Sequence, residues 1–133
     1  MQLKRVTVIL LALIIVTGLA AKNNHKKNHP KDLNEAIIKL DHVYSDITKK
    51  EIFDMSESEY LTKSQFSSRL WIRYNWGLWH SSKLSTYFND LGIYHPNDMT
   101  AIIIRCYYRH LHQQDFELEK LIKYYQKRRT KLI

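Results

Sequence analysis

Four groups of side chains have the types and spacing to do chemistry. The densest runs from Trp71 to Trp79, where Trp71, Trp76 and Trp79 frame Arg73 and Asn75. Indole faces beside a planar guanidinium suit stacking on sugar rings or on a peptide. The simpler use of the block is packing, with Trp71 facing the core and Trp76-Gly77-Leu78-Trp79 plugging a helical bundle at a tight turn. His95 and Asp98 lie three apart across an expected helix start. In a cleft, and with shifted pKa values, they would form an acid–base pair, and Arg73 would complete a small hydrolytic site. As structure, His95 precedes a proline and Asp98 supports the helix N-terminus. Cys106 has His110 one turn on as a candidate base, but a mid-helix cysteine is expected to be buried packing. Arg105, Arg109 and His112 fall at i, i+4, i+7. With the basic end of the last expected helix, Lys127, Arg128, Arg129 and Lys131, that stripe could meet phosphate or carboxylate groups, and its simpler reading is a solvated face.

Several chemistries are excluded. One cysteine allows no internal disulfide and no multi-cysteine metal cage. His25 and His29 have helical ligand spacing, but Pro30 and the neighbouring asparagines disfavour a helix there, so no metal site is expected. The sequence has no glycine-rich phosphate loop, no HExxH, no serine elbow and no paired-cysteine motif. It therefore implies no cofactor and leans away from an enzyme.

The elements that position these groups are helical. The chain has 133 residues, one domain's worth, with only 3 Gly and 2 Pro. So few breakers argue against a turn-rich β-fold. Lys4 and Arg5 precede an apolar run, Val6 to Val16, interrupted only by Thr7, and small residues Gly18 and Ala20 follow. This is the layout of a secretory signal peptide cleaved after Ala20. The alternative is an N-terminal anchor, which would tether the protein to a membrane. The apolar segment would span about 24 Å as a helix at roughly 1.5 Å per residue, short of the ~30 Å hydrocarbon core. Lys22, Lys26, Lys27 and Lys31 lie just past it and oppose translocation.

Residues 21–31 read as a basic disordered linker, because 22–31 contain no apolar residue. Domain 32–131 then follows. Asp32 with Glu35 opens a helix over 33–44. Thr48 with Glu51 opens a short second one, and Ser56 with Glu59 a longer third reaching about Asn75. Gly77 stops the third helix. Ser81 or Ser82 caps the fourth, which Gly92 ends, with Ile93 folding back as its hydrophobic contact. Asn97 is the expected N-cap of a fifth helix over about 98–112, apolar on two sides and hence central. Leu118, Leu121, Ile122 and Tyr125 mark a sixth. The expectation is an all-α fold, a compact bundle of five or six helices after an N-terminal signal peptide.

The net charge is +8, from 21 basic and 13 acidic residues. An exported protein meets little nucleic acid, so the charge points to a protein or a cell-envelope polymer in the periplasm or at the cell surface. The block Trp71-Ile72-Arg73-Tyr74-Asn75-Trp76-Gly77-Leu78-Trp79 and the block His95-Pro96-Asn97-Asp98-Met99-Thr100 resemble those of an uncharacterised bacterial domain family, typical of Bacteroidota. Its pattern reads Trp-x-Arg-Asn-x-Trp-Gly-Leu-Trp, then His-Pro-Asp-Asp-Met-Ser, then a Leu-Glu helix ending in Tyr-Gln. This chain departs at Tyr74, Asn97 and Thr100. The resemblance implies a single domain over about 30–128 and carries no reaction with it. The functional expectation is an exported, non-enzymatic binding or interaction module. The alternatives are a periplasmic immunity or inhibitor protein against a cell-wall-directed enzyme, and a small hydrolase at Arg73, His95 and Asp98.

Overall fold

The computed structural model describes residues 29–133. The signal peptide and residues 21–28 of the linker lie outside the described residues. Of the linker's last residues, Pro30 is buried, and the Lys31 amide donates to Glu35 Oε2 at 2.9 Å.

Seven α-helices and no strand occur among the described residues: α1 Leu33–Val43, α2 Asp46–Asp54, α3 Glu57–Lys63, α4 Ser68–Asn75, α5 Lys83–Asp90, α6 Pro96–Leu111 and α7 Leu118–Thr130. The count exceeds the five or six expected because the third expected helix is two. Serines break it. Ser64 Oγ donates to the Leu61 carbonyl and Ser67 Oγ to the Lys63 carbonyl, so hydroxyls compete for the helix's own acceptors. The turn over residues 64–67 separates α3 from α4.

α6 is the hub, packing against each of the other six helices. Met99, Ile102, Ile103, Ile104, Cys106 and Tyr107 along it are almost wholly buried. A run of three buried isoleucines needs apolar partners all round, and α1, α4 and α5 supply them through Leu40, Ile72, Leu84 and Phe88. Burying each such side chain contributes about 1.5–3 kcal/mol.

The helix starts are set by side-chain caps. Asp32 accepts from the Glu35 amide, and Ser56 with Glu59 makes a reciprocal capping box. Ser82 is the cap of α5, its partner Ser85 completing another box. Two starts differ from expectation. Ser45, not Thr48, caps α2, because Ser45 Oγ already accepts from the Thr48 amide. His95, not Asn97, caps α6: Pro96 takes the first helical position, and the His95 ring nitrogen Nδ1 accepts from the Asn97 amide at 3.1 Å. Gly77 and Gly92 adopt φ of +65° and +80°, the left-handed region that glycine enters without strain. Past Gly92 the Ile93 amide donates back to the Phe88 carbonyl, and Ile93 is buried. No helix of the described residues is long and apolar enough to cross a membrane.

Candidate functional site

The inward side of α4 is Arg69, Ile72, Arg73 and Trp76, at i, i+3, i+4, i+7. That pattern decides the fate of the tryptophan block. Ile72, Arg73 and Trp76 are buried, and Leu78 follows them into the core. Trp71 is rotated off this side and is 43% exposed, its ring meeting Trp76 edge-on with centroids 5.8 Å apart. The expectation that Trp71 faces the core is therefore corrected. An arginine takes the inward position next to Ile72, which an aliphatic pattern does not reveal. Trp79 is half exposed and meets the His95 ring edge-on at 6.0 Å. The three indoles make no shared platform, since Trp76 is enclosed. Asn75 turns its amide back onto the Trp71 carbonyl at 2.9 Å.

Arg73 is 8% exposed, and its Nη1 donates to Thr100 Oγ1 at 3.4 Å. Its Nε is buried without a hydrogen-bond partner. Burial pushes the Arg73 guanidinium below its usual range. Asp98 is buried and receives Arg129 in a fork, with Nε to Oδ2 at 2.7 Å and Nη2 to Oδ1 at 3.2 Å. His95 and Asp98 do come together, lining an apolar cavity of about 340 Å³ against α7. Arg73 does not line that cavity. The His95 imidazole is held below its usual pKa chiefly by burial, with the charges of Arg129 and Arg73 adding to the effect and Asp98 opposing it.

The basic stripe is neither a solvated face nor an open receptor. Its arginines meet a carboxylate of this same chain. Glu57, the first residue of α3, accepts from Arg105 Nη1 at 2.8 Å and from Arg109 Nε and Nη2 at 3.1 Å each. Arg105 Nε also donates to Tyr125 Oη, and Arg109 Nη1 to the Phe116 carbonyl. Burial raises the Glu57 pKa, but the hydrogen bonds and charges of Arg109 and Arg105 outweigh it and hold the carboxyl below its usual range. His112 is stacked between Phe53 and Tyr108, with ring centroids 4.2 and 4.1 Å away, and its ring nitrogens face the Tyr108 and Phe53 carbonyls. Cys106 is fully enclosed. Burial pushes its thiol up to about 12, Arg109 opposing and Glu57 adding, while His110 lies instead beside Asp41. Among the described residues no group of three or more His, Cys, Asp or Glu gathers as a metal ion would need.

Of the second arginine group, the sequence shows Arg128 and Arg129 as part of a basic helix end, but Arg69 was missed. Arg69 on α4 sends Nη2 to the Asn97 carbonyl at 3.1 Å and Nε toward Thr100 Oγ1 at 3.5 Å. With Arg128 and Arg129 of α7 it lines a cavity of about 280 Å³. The readable signal was the i, i+4 spacing of Arg69 and Arg73 beside an aromatic block.

A family model for a domain of unknown function, DUF6794, matches residues 29–111. The chain belongs to the DUF6794 family. In this DUF6794 chain the match covers α1 to α6, so Arg73, His95, Asp98, Arg105 and Arg109 fall within it, whereas α7, with Tyr125, Arg128 and Arg129, lies beyond it. No curated protein and no solved structure matches the chain.

Proposed function

We propose that this DUF6794 chain is an exported, non-enzymatic helical module that binds a protein or a cell-envelope polymer in a bacterial periplasm or at the cell surface. The outer side of α4 and the turn before it carry this reading. Leu70, Trp71 and Tyr74 on α4 and Phe66 in the turn before it are exposed, Phe66 by 82% and Tyr74 by 70%. Large apolar side chains exposed together on one short segment of a small domain support an interaction surface. The non-enzymatic part is supported by the engagement of the candidate catalytic groups: Asp98 is forked by Arg129, Arg73 is enclosed against Thr100, and His95 caps α6. Export rests on the leader-like arrangement of Lys4, Arg5 and the apolar run after them.

The test places a photocrosslinking residue at Tyr74 in exporting cells and sediments the protein with purified cell-wall sacculi. Binding is expected to fall about tenfold in the Phe66→Ser, Tyr74→Ser double variant with folding intact. Full binding by that variant contradicts the reading. A second reading, an inhibitor of a cell-wall-directed enzyme, is favoured by the protrusion of Phe66 at the α3–α4 turn. It requires the crosslinked partner to be such an enzyme.

A further inference from the structure

We propose that the cavity bounded by α3, α4, α6 and α7 is a binding site for a small phosphate-bearing molecule, held by Arg69, Arg128 and Arg129. The site is separate from the aromatic side of α4, so either assignment can fail alone. Its walls are polar, and three guanidinium groups line it against one carboxylate, Asp98. That carboxylate is already occupied by the fork from Arg129. Among the described residues Arg69 has only neutral oxygens as hydrogen-bond partners, the Asn97 carbonyl and the Thr100 hydroxyl. The exposed Arg128 side chain forms no ion pair or hydrogen bond among the described residues. Gln65 and Asn97 line the same cavity.

Such a site is short of negative charge. Burial pushes the Arg69 guanidinium below its usual range; Tyr125 and Asp98 oppose this, and the charges of Arg73 and Arg128 reinforce it. An anion in the cavity relieves that repulsion. The formal excess over Asp98 is two positive charges, which matches a phosphomonoester dianion. A planar carboxylate satisfies one guanidinium fork, whereas the terminal oxygens of a phosphate can meet guanidinium groups arriving from two helices. The cavity's size favours a small soluble molecule over a membrane surface.

The test titrates the chain, as isolated from expressing cells, with inorganic phosphate and with glycerol 3-phosphate, using chloride at matched ionic strength as the control. Saturable one-site binding is expected. Arg69→Gln and Arg128→Gln should each weaken it about tenfold, the loss expected for one charge-assisted contact. Arg128 is exposed, so its variant folds even where the Arg69 variant does not. Three results overturn the proposal: chloride shifting the same signals to the same extent, undiminished phosphate binding in the Arg128 variant, or binding seen only with phosphatidic acid vesicles and not with the soluble phosphates.

Discussion

Arg105 and Arg109 on α6 and Arg69 and Arg73 on α4 share a residue type, an i, i+4 spacing and an inward aim, yet they end in opposite circumstances. The α6 pair closes on Glu57, and with Tyr125 and the Phe116 carbonyl nearly every direction of their forks finds an acceptor. The α4 pair shares a single hydroxyl, Thr100 Oγ1, and finds no carboxylate of its own among the described residues. A guanidinium taken from water with a carboxylate fastens helices together. One taken from water beside a hydroxyl stays short of charge compensation. Spacing along a helix shows that two arginines are neighbours; only the element packed opposite shows whether they are a clasp or a receptor.

The contrast can be broken most severely at Glu57. Glu57→Gln leaves two largely buried guanidinium groups facing a neutral amide and should cost about 2–3 kcal/mol in urea unfolding. Arg69→Gln should cost less than half as much. Equal losses would make both groups structural. The same carboxyl sets a pH dependence. Its folded pKa is depressed, so its contribution is full above the usual glutamate value of 4.5 and is lost as the pH falls through the lower folded value. Glu57→Gln should therefore flatten the acid limb of the stability curve below about pH 4.5, and an unchanged limb would show that the clasp does not hold the carboxylate ionised.

A smaller effect is expected at Asp98. Asp98→Asn removes the fork to Arg129, which is partly exposed and screened, so about 1–2 kcal/mol should be lost. Because the change also removes the cavity's only carboxylate, phosphate should bind more tightly. Weaker binding would mean that Asp98 positions Arg129 for the ligand. Smallest of all, Arg128→Gln should alter stability by no more than about 0.5 kcal/mol, as for other surface positions without partners. A larger loss in a melting experiment would place Arg128 among the fasteners.

Much of the fold was legible because its signals are local. The Asp32 and Ser56 caps, the glycine stops and the two-sided apolar pattern of α6 each act within a few residues and were readable as written, and the α5 cap was narrowed to Ser81 or Ser82. The break in the third expected helix was not, since serines over 64–67 are tolerated in helices unless their hydroxyls turn onto the backbone. The arginine groups were not legible because their partners are remote. Glu57 lies 48 residues from Arg105, and Asp98 lies 31 from Arg129. Trp71 was read as facing the core from its aromatic character, whereas Ile72 and Arg73 take the inward positions of α4 and leave Trp71 beside them. Outside the described residues the leader is an expectation that mass spectrometry of the N-terminus of the protein recovered from expressing cells would check by finding Ala21 first.

The most direct measurement is the proton–nitrogen NMR spectrum of the arginine Nε–Hε groups, recorded as phosphate is added. If α6 carries a closed clasp and α4 an open receptor, the Arg69 signal moves saturably while those of Arg105 and Arg109 stay in place. Movement of the Arg105 and Arg109 signals, or a stationary Arg69, would contradict that division.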